Sequence, residues 1–222
     1  MLTTGIKFLN FNNKSSARIL KKKLKFLVKE NNQVLRSLSK EYKNDYNTNI
    51  VKKYKKFLNY RIIGMGGSSL GAQAIYDFLK KKIKKKFSFV DNLQINSKKD
   101  SLNETTNLII SKSGNTIETI VNANIIIKKK DKNIFITEKR DSYLYSLANK
   151  LKAEIIHHNN FIGGRYSVLS EVGMLPAELM GLNAKSFKQF NNLVKNKKFI
   201  NALINNVSSI LFFSKKKNLI QL

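Results

Sequence analysis

Short hydrophobic runs alternate with amphipathic stretches through the middle of the chain. Each run is bounded by polar or turn-forming residues, a pattern typical of buried strands. Apolar residues at helical spacing follow three of the runs, and they predict helices. In the helix predicted at residues 70–79 we expect one apolar face, formed by Leu70, Ala74, Ile75, Phe78 and Leu79. The strands are predicted at residues 61–63, 87–90, 108–110, 134–136 and 154–156, and the helices at residues 70–79, 117–121 and 143–151. Strands and helices in alternation predict an α/β fold, with a parallel sheet covered on both faces.

The two ends of the chain have a different pattern. Residues 14–38 are amphipathic at the helical period, and a polar, asparagine-rich loop follows at residues 43–49. Beyond Arg165 the chain is predicted to be mostly helical, with a wide apolar stripe over residues 199–211. Residues 218–222 look like the start of another strand, which is an unusual place for a natural C-terminus.

The charge is strongly positive, at +28 over 222 residues. Nucleic-acid binding is one explanation, because basic side chains neutralise phosphates. Lysine dominates, however, whereas base and phosphate recognition favours the arginine fork. Lys, Asn and Ile are all abundant, and codons made only of A and T can encode each of them. Biased codon usage with solvated lysine faces therefore explains the charge better, and we expect no nucleic-acid partner. The arginines are Arg18, Arg36, Arg61, Arg140 and Arg165.

Membrane insertion and thiol chemistry are not expected. No apolar stretch approaches the ~20 residues that span a bilayer, and the first 13 residues lack the apolar core of a signal peptide. With no cysteine, the sequence has neither disulfides nor thiolate metal ligands. We therefore expect a cytoplasmic protein without a membrane partner.

Two loops share one design, in which a strand is followed by Gly, Ser or Thr and then a helix. They are the first loop (residues 64–69, Gly-Met-Gly-Gly-Ser-Ser) and the second loop (residues 111–119, Ser-Lys-Ser-Gly-Asn-Thr-Ile-Glu-Thr). Open α/β sheets bind ligands at the carboxyl ends of their strands, and helix N-termini attract anions. Neither loop has the spacing of a dinucleotide or nucleoside-triphosphate loop, so a small phosphorylated ligand fits better. Gly and Ser that merely form turns remain the alternative.

A third segment and a few ionisable residues complete the candidates. The arginine segment (residues 161–167, Phe-Ile-Gly-Gly-Arg-Tyr-Ser) could present Arg165 to a developing oxyanion, or it could be a surface turn. His157 and His158 end a predicted strand and point to opposite faces, so we expect neither a metal site nor a shared catalytic role. Glu118 could be an orienting carboxylate or a residue favoured by the helix dipole.

Taken in order, these three segments resemble the glucose-6-phosphate isomerase family, in its shorter bacterial form. The resemblance is strong over residues 60–182 and weak outside them; Met65, Ala72 and Glu171 depart from the usual family residues. It implies a doubly wound sugar-isomerase domain at residues 51–182, a helical extension at residues 1–50, and a helical linker with the start of a truncated second domain at residues 183–222. It also implies a homodimer for the full-length enzyme, and interconversion of glucose 6-phosphate and fructose 6-phosphate without metal or cofactor.

The resemblance also assigns roles to individual residues. The phosphate would be held by Ser111, Lys112 through its backbone amide, Ser113, Thr116 and Thr119. Gly67 and Ser68 would contact the sugar phosphate. Arg165 would stabilise the enediolate, and Glu118 would orient the histidine that opens the ring.

The base of the reaction is missing from the sequence. The family base lies in a Met-Glu-Ser-Asn-Gly-Lys segment, and ring opening uses a further His and Lys; none of these motifs occurs here, and no histidine follows His158. We therefore expect an N-terminal fragment of the isomerase that is inactive alone. The alternative is a non-catalytic sugar-phosphate-binding or regulatory domain, which senses sugar phosphates and does not convert them.

Overall fold

The computed structural model describes residues 17–30, 32–93, 105–128 and 131–217. The described residues form two compact units. One consists of residues 42–187. The other combines the described residues up to Glu41 with those from Lys188 onwards.

The larger unit is built on a parallel five-stranded sheet. Its strands are β1 (Asn59–Gly64), β2 (Lys86–Val90), β3 (Thr105–Ile110), β4 (Lys132–Thr137) and β5 (Glu154–His157). They run in the order β2-β1-β3-β4-β5, and every neighbouring pair is parallel. The register places Ile62 of β1 opposite Leu108 of β3, which in turn lies opposite Ile134 of β4.

Helices cover both faces of this sheet, because successive strand residues point to opposite sides. The helices of this unit are α3 (Thr48–Lys55), α4 (Leu70–Leu79), α5 (Ile117–Ile126), α6 (Tyr143–Lys150) and α7 (Glu171–Leu179), with α1 (Ala17–Lys29) and α2 (Gln33–Ser37) preceding them in the smaller unit. Ile62, Leu108 and Ile134 belong to one core, which α3, α4 and α7 cover. Their neighbours Ile63, Ile109 and Phe135 belong to the other, beneath α5 and α6. The predicted α/β, doubly wound fold is therefore confirmed.

The strand order reverses between β1 and β3. The chain leaves β1 into α4 on one face and leaves β3 into α5 on the other. The first and second loops therefore diverge at the carboxyl edge of the sheet, and a crevice opens there in open α/β folds.

The predicted apolar face of α4 differs from the face that is buried. Ala72 and Ile75 are buried, whereas Leu70 and Ala74 are exposed and Phe78 is 89% exposed. Ile75 and Leu79 of the predicted face do pack into the core, so the expectation for this helix was wrong for Leu70, Ala74 and Phe78. The helix itself lies where the spacing predicted it.

The smaller unit is helical in its described part. It contains α1 (Ala17–Lys29), α2 (Gln33–Ser37), α8 (Phe190–Lys195) and α9 (Lys197–Lys217). The single helix predicted at residues 14–38 is interrupted, because the Asn32 side chain accepts hydrogen bonds from the backbone N–H groups of Val34 and Leu35 and so starts a new helix.

Two sequence expectations concern the C-terminal part of the chain. The apolar stripe lies on α9, where Ile204 is buried and Ile210 and Leu211 are about half exposed. The strand predicted at residues 218–222 lies outside the described residues. Among the helices that the structure describes, none is long and apolar enough to cross a lipid bilayer.

Candidate functional site

The second loop brings three hydroxyl groups together at the end of β3. The Thr116 Oγ1 atom lies 2.9 Å from the Ser111 Oγ atom and 3.5 Å from the Ser113 Oγ atom. The loop runs directly into the N-terminus of α5, where free backbone N–H groups favour an anion. Hydroxyl donors and a helix N-terminus at one point form a suitable cradle for a phosphate group.

Contacts with the start of α6 fix the shape of the second loop. Gly114 has a φ of +68°, and a side chain there would overlap the Ser142 hydroxyl. The Asn115 side chain accepts a hydrogen bond of 2.9 Å from the Tyr143 backbone N–H. The loop is thus held between β3 and α6, so that its hydroxyls are positioned before any ligand binds.

The first loop packs directly against the arginine segment. A Cβ atom on Gly67 would overlap the Gly164 carbonyl group and approach the Arg165 backbone nitrogen, so only glycine allows this contact. The Ser167 hydroxyl donates to the Gly164 carbonyl oxygen at 2.6 Å and lies 3.4 Å from that of Gly67. Two segments about 100 residues apart in sequence therefore form one surface.

The side chains at this junction are accessible. Arg165 is exposed, and it makes no ion pair with any residue in the described part of the chain. Ser68 is half-buried in the short 3₁₀ turn of residues 66–68. Arg165 is thus available to a ligand beside the first loop.

Lys112 joins the second loop to the arginine segment. Its Nζ atom donates to the Asn160 carbonyl oxygen at 2.7 Å, one residue before that segment begins, and it lies 3.7 Å from the Glu138 Oε1 atom. Glu138 follows β4 directly, and its Oε2 atom pairs with the Arg140 Nε atom at 3.0 Å. Sequence reasoning missed Glu138 and Arg140, although their place just after a predicted strand could have indicated them.

Thr119 and Glu118 lie further along α5 than the hydroxyl cluster. Thr119 is buried, and its hydroxyl has no hydrogen-bond partner within the described ranges. Glu118 is half-buried in the first turn of α5. The structure thus groups Ser111, Ser113 and Thr116 and leaves Thr119 outside that group.

His158 is buried behind the site. Its Nδ1 atom lies 3.2 Å from the Asn159 carbonyl oxygen. Burial lowers the pKa of His158, and the charge of Lys112 adds to this, whereas Asn159 and the carboxylates of Glu171 and Glu138 oppose it. Glu171 is also buried, and it accepts hydrogen bonds from the Asn159 backbone N–H at 2.9 Å and the Tyr42 hydroxyl at 3.1 Å. No group of three or more potential metal ligands occurs among the described residues.

Comparison with known proteins identifies the family of this chain. The family model described as phosphoglucose isomerase matches residues 10–211. Glucose-6-phosphate isomerase of Methanocaldococcus jannaschii is 32% identical over 79% of this chain and 47% of its own length. The enzyme of the same name from Campylobacter jejuni is 35% identical over 61% of this chain and 36% of its own. The enzyme of that name from Borrelia garinii is 36% identical over 54% of this chain and 26% of its own length. The chain thus spans at most about half the length of these relatives.

Solved structures support the fold. A hypothetical protein from Thermus thermophilus is similar with a TM-score of 0.63 at 20% identity, over 81% of this chain and 48% of that one. The C-terminal domain of a glucosamine-fructose-6-phosphate aminotransferase from Francisella tularensis has a TM-score of 0.50 at 15% identity. The match covers 72% of this chain and 49% of that one. Such identities show a shared fold and nothing more. With the family model matching nearly the whole chain and the three segments meeting at one edge of the sheet, this chain belongs to the phosphoglucose isomerase family.

Proposed function

We propose that this chain supplies the phosphate-binding part and the enediolate-stabilising arginine of an isomerase that interconverts glucose 6-phosphate and fructose 6-phosphate. One observation carries the proposal. The hydroxyl cluster of Ser111, Ser113 and Thr116 and the segment bearing Arg165 lie at the same edge of the sheet, and Lys112 links them. The enzyme names of the relatives support the same reaction.

The proposed chemistry gives each group a task. The hydroxyls and the α5 N-terminus would hold the phosphate and so fix the sugar. Isomerisation removes a proton from C2 and returns it to C1 through an enediolate, whose negative charge the Arg165 guanidinium would stabilise. Gly67 and Ser68 would line the sugar-phosphate side of the first loop. Glu118 would orient a ring-opening histidine. Thr119, which is buried in α5 outside the hydroxyl cluster, would support the phosphate only indirectly.

The reaction also needs a catalytic base, and these 222 residues do not contain the segment that carries it in the family. The Met-Glu-Ser-Asn-Gly-Lys segment of the family does not occur in the sequence. We therefore expect the chain alone to bind sugar phosphates without interconverting them. The second candidate is a non-catalytic sugar-phosphate-binding or regulatory domain, which would use the same hydroxyl cluster and needs no base. A homodimer and a cytoplasmic location are further proposals that rest on the family resemblance.

The phosphate cradle is tested by removing one hydroxyl. Thr116→Val keeps the branched shape of the side chain but removes the oxygen that both serines contact. We expect the affinity of the 222-residue chain for fructose 6-phosphate, measured by calorimetry, to fall about tenfold or more, because a hydrogen bond to a charged group is lost. Thr48→Val, on the exposed first turn of α3, is the matched control and should bind as the wild type does.

Two results would contradict the proposal. Equal affinity in Thr116→Val and the wild type would show that the second loop does not hold the phosphate. Binding of fructose as tight as that of fructose 6-phosphate would show that no phosphate is recognised. Isomerase turnover is a separate test: turnover by the chain alone, abolished in Arg165→Ala, would contradict the expected lack of a base and would show that another residue serves as the base.

A further inference from the structure

An arginine that the family resemblance does not assign lies at the rim of the second loop. The Arg140 Nη2 atom donates to the Ser113 carbonyl oxygen at 3.5 Å. Ser113 belongs to the hydroxyl cluster, so the guanidinium contacts the backbone of one of the residues proposed to hold the phosphate. The side chain remains 55% exposed, which leaves the guanidinium open to a ligand.

Glu138 fixes the position of this guanidinium. The Glu138 side chain is only 10% exposed, and its Oε2 atom lies 3.0 Å from the Arg140 Nε atom. The Glu138 backbone N–H also donates to the Lys112 carbonyl oxygen at 3.1 Å, so the carboxylate is anchored to the second loop. A nearly buried carboxylate is costly without cationic partners. Arg140 at 3.0 Å is closer to it than Lys112 at 3.7 Å, and this ion pair holds Arg140 in place.

We propose that Arg140 binds the phosphate group of the ligand and that Glu138 is the residue that positions it. This inference rests on the proposed function. A guanidinium has several N–H donors in a planar fork. Glu138 and the Ser113 carbonyl occupy one donor each, and the remaining donors are available to phosphate oxygens. Lys112 is another cation near the second loop. Its Nζ atom faces the Asn160 carbonyl and the Glu138 carboxylate, whereas Arg140 presents further N–H donors on an exposed side chain.

An ordinary surface ion pair is the alternative explanation, since such pairs are common and contribute little. Two features distinguish Arg140 from that case. Its partner is nearly buried, and the same guanidinium reaches the second loop. The neighbouring Lys139 shows the ordinary arrangement, because its Nζ atom lies 3.9 Å from an Asp45 carboxylate that is itself 48% exposed.

These neighbours provide a matched pair of variants. Arg140→Gln and Lys139→Gln each remove one positive charge from adjacent exposed side chains. We expect Arg140→Gln to weaken the binding of fructose 6-phosphate by the 222-residue chain about tenfold, measured by calorimetry. Inorganic phosphate, used as a competitor, should lose affinity by a similar factor, because the arginine contacts the phosphate and not the sugar. Lys139→Gln should stay within about twofold of the wild type, since only its distant charge is lost.

Each other outcome overturns the inference. If Arg140→Gln binds as tightly as the wild type while Thr116→Val does not, the proposed function stands and the role of Arg140 falls. An equal loss in Lys139→Gln would show that only overall charge matters. A loss for fructose 6-phosphate without a loss for inorganic phosphate would place the arginine at the sugar. A wild-type chain that binds neither ligand would overturn both the inference and the proposed function.

Discussion

At the scale of single residues, burial determines the protonation of His158. The imidazole is fully buried, and its Nε2 atom has no hydrogen-bond partner in the part of the chain that the structure describes. Placing a cation there is costly, and the nearby Lys112 adds to the cost, so the pKa of His158 lies below its usual value. The Asn159 carbonyl and the Glu171 and Glu138 carboxylates offset this only in part. The folded protein therefore favours a neutral His158.

The low pKa of His158 predicts a loss of stability in mild acid. In the unfolded chain His158 takes up a proton near pH 6.5, whereas in the folded protein it does so only at lower pH. The contribution of His158 to the free energy of unfolding should thus be greatest and constant above about pH 6.5. It should decrease as the pH falls from there towards the pKa of His158 in the folded protein. Urea titrations between about pH 8 and pH 5 would measure this decrease.

Histidine variants assign the effect to its source. His158→Gln should flatten the pH dependence, whatever its effect on stability at neutral pH. His157→Gln, at the half-buried neighbouring residue, should retain the wild-type dependence because His158 is still present. An unchanged dependence in His158→Gln would mean that other groups cause the acid sensitivity.

At the scale of elements, the arginine segment owes its shape to contacts with parts distant in sequence. The Ser167 side chain is fully buried and bonds the Gly164 carbonyl within the segment, while Gly67 of the first loop packs against the same carbonyl. The Ser170 hydroxyl in turn donates to the Ser167 carbonyl oxygen at 2.7 Å and leads into α7. This chain of contacts fixes the backbone that carries Arg165.

Removing one hydroxyl should therefore loosen this segment. Ser167→Ala leaves the Gly164 carbonyl without its buried donor, and we expect the free energy of unfolding to fall by about 1–3 kcal/mol. Hydrogen exchange should become faster mainly at the amides of residues 161–170. Ser209→Ala is the control, because its hydroxyl bonds the Asn205 carbonyl within α9, where such a bond adds little stability. Exchange that stays slow across residues 161–170 in Ser167→Ala would contradict the role of this hydroxyl.

At the scale of the whole molecule, charge opposes folding. The chain carries a net charge of +28, and folding brings many of its lysines closer together. With 14 acidic residues against 42 basic ones, ion pairs can offset only part of this repulsion. The sequence interpretation of the lysine excess as compositional, without a nucleic-acid partner, stays a prediction.

Salt should accordingly stabilise the protein. Raising sodium chloride from about 20 mM to about 200 mM shortens the distance over which exposed charges repel one another. The midpoint of thermal unfolding should therefore rise by several degrees, as followed by circular dichroism. Sucrose at the same osmolarity is a control for effects that do not depend on charge. A midpoint that falls or stays constant with salt would show that attractive pairs outweigh the repulsion.

Local patterns determined the elements and the loops between them. The strands around Ile62, Leu108 and Ile134 and the helix that carries Phe78 lie where the spacing predicted them, because an apolar run or period is a property of neighbouring residues. The order of the three glycine- and serine-rich segments likewise indicated the family before any fold was known. The break at Asn32 was missed because the cap interrupts an otherwise continuous amphipathic pattern.

Tertiary structure alone decided which residues meet. The spacing on α4 favoured Phe78 together with Ile75 as core residues, but the packing of α4 against the sheet and α7 buries Ala72 with Ile75 and leaves Phe78 exposed. The pair of Glu138 and Arg140 reaches the second loop only because β4 lies beside β3 in the sheet. The contact of Gly67 with Gly164 likewise depends on the fold. The sequence by itself therefore determined the elements, the motifs and the family, since these depend on residues close together in the chain. The assembly of the site depends on contacts between distant segments, and only folding brings those together.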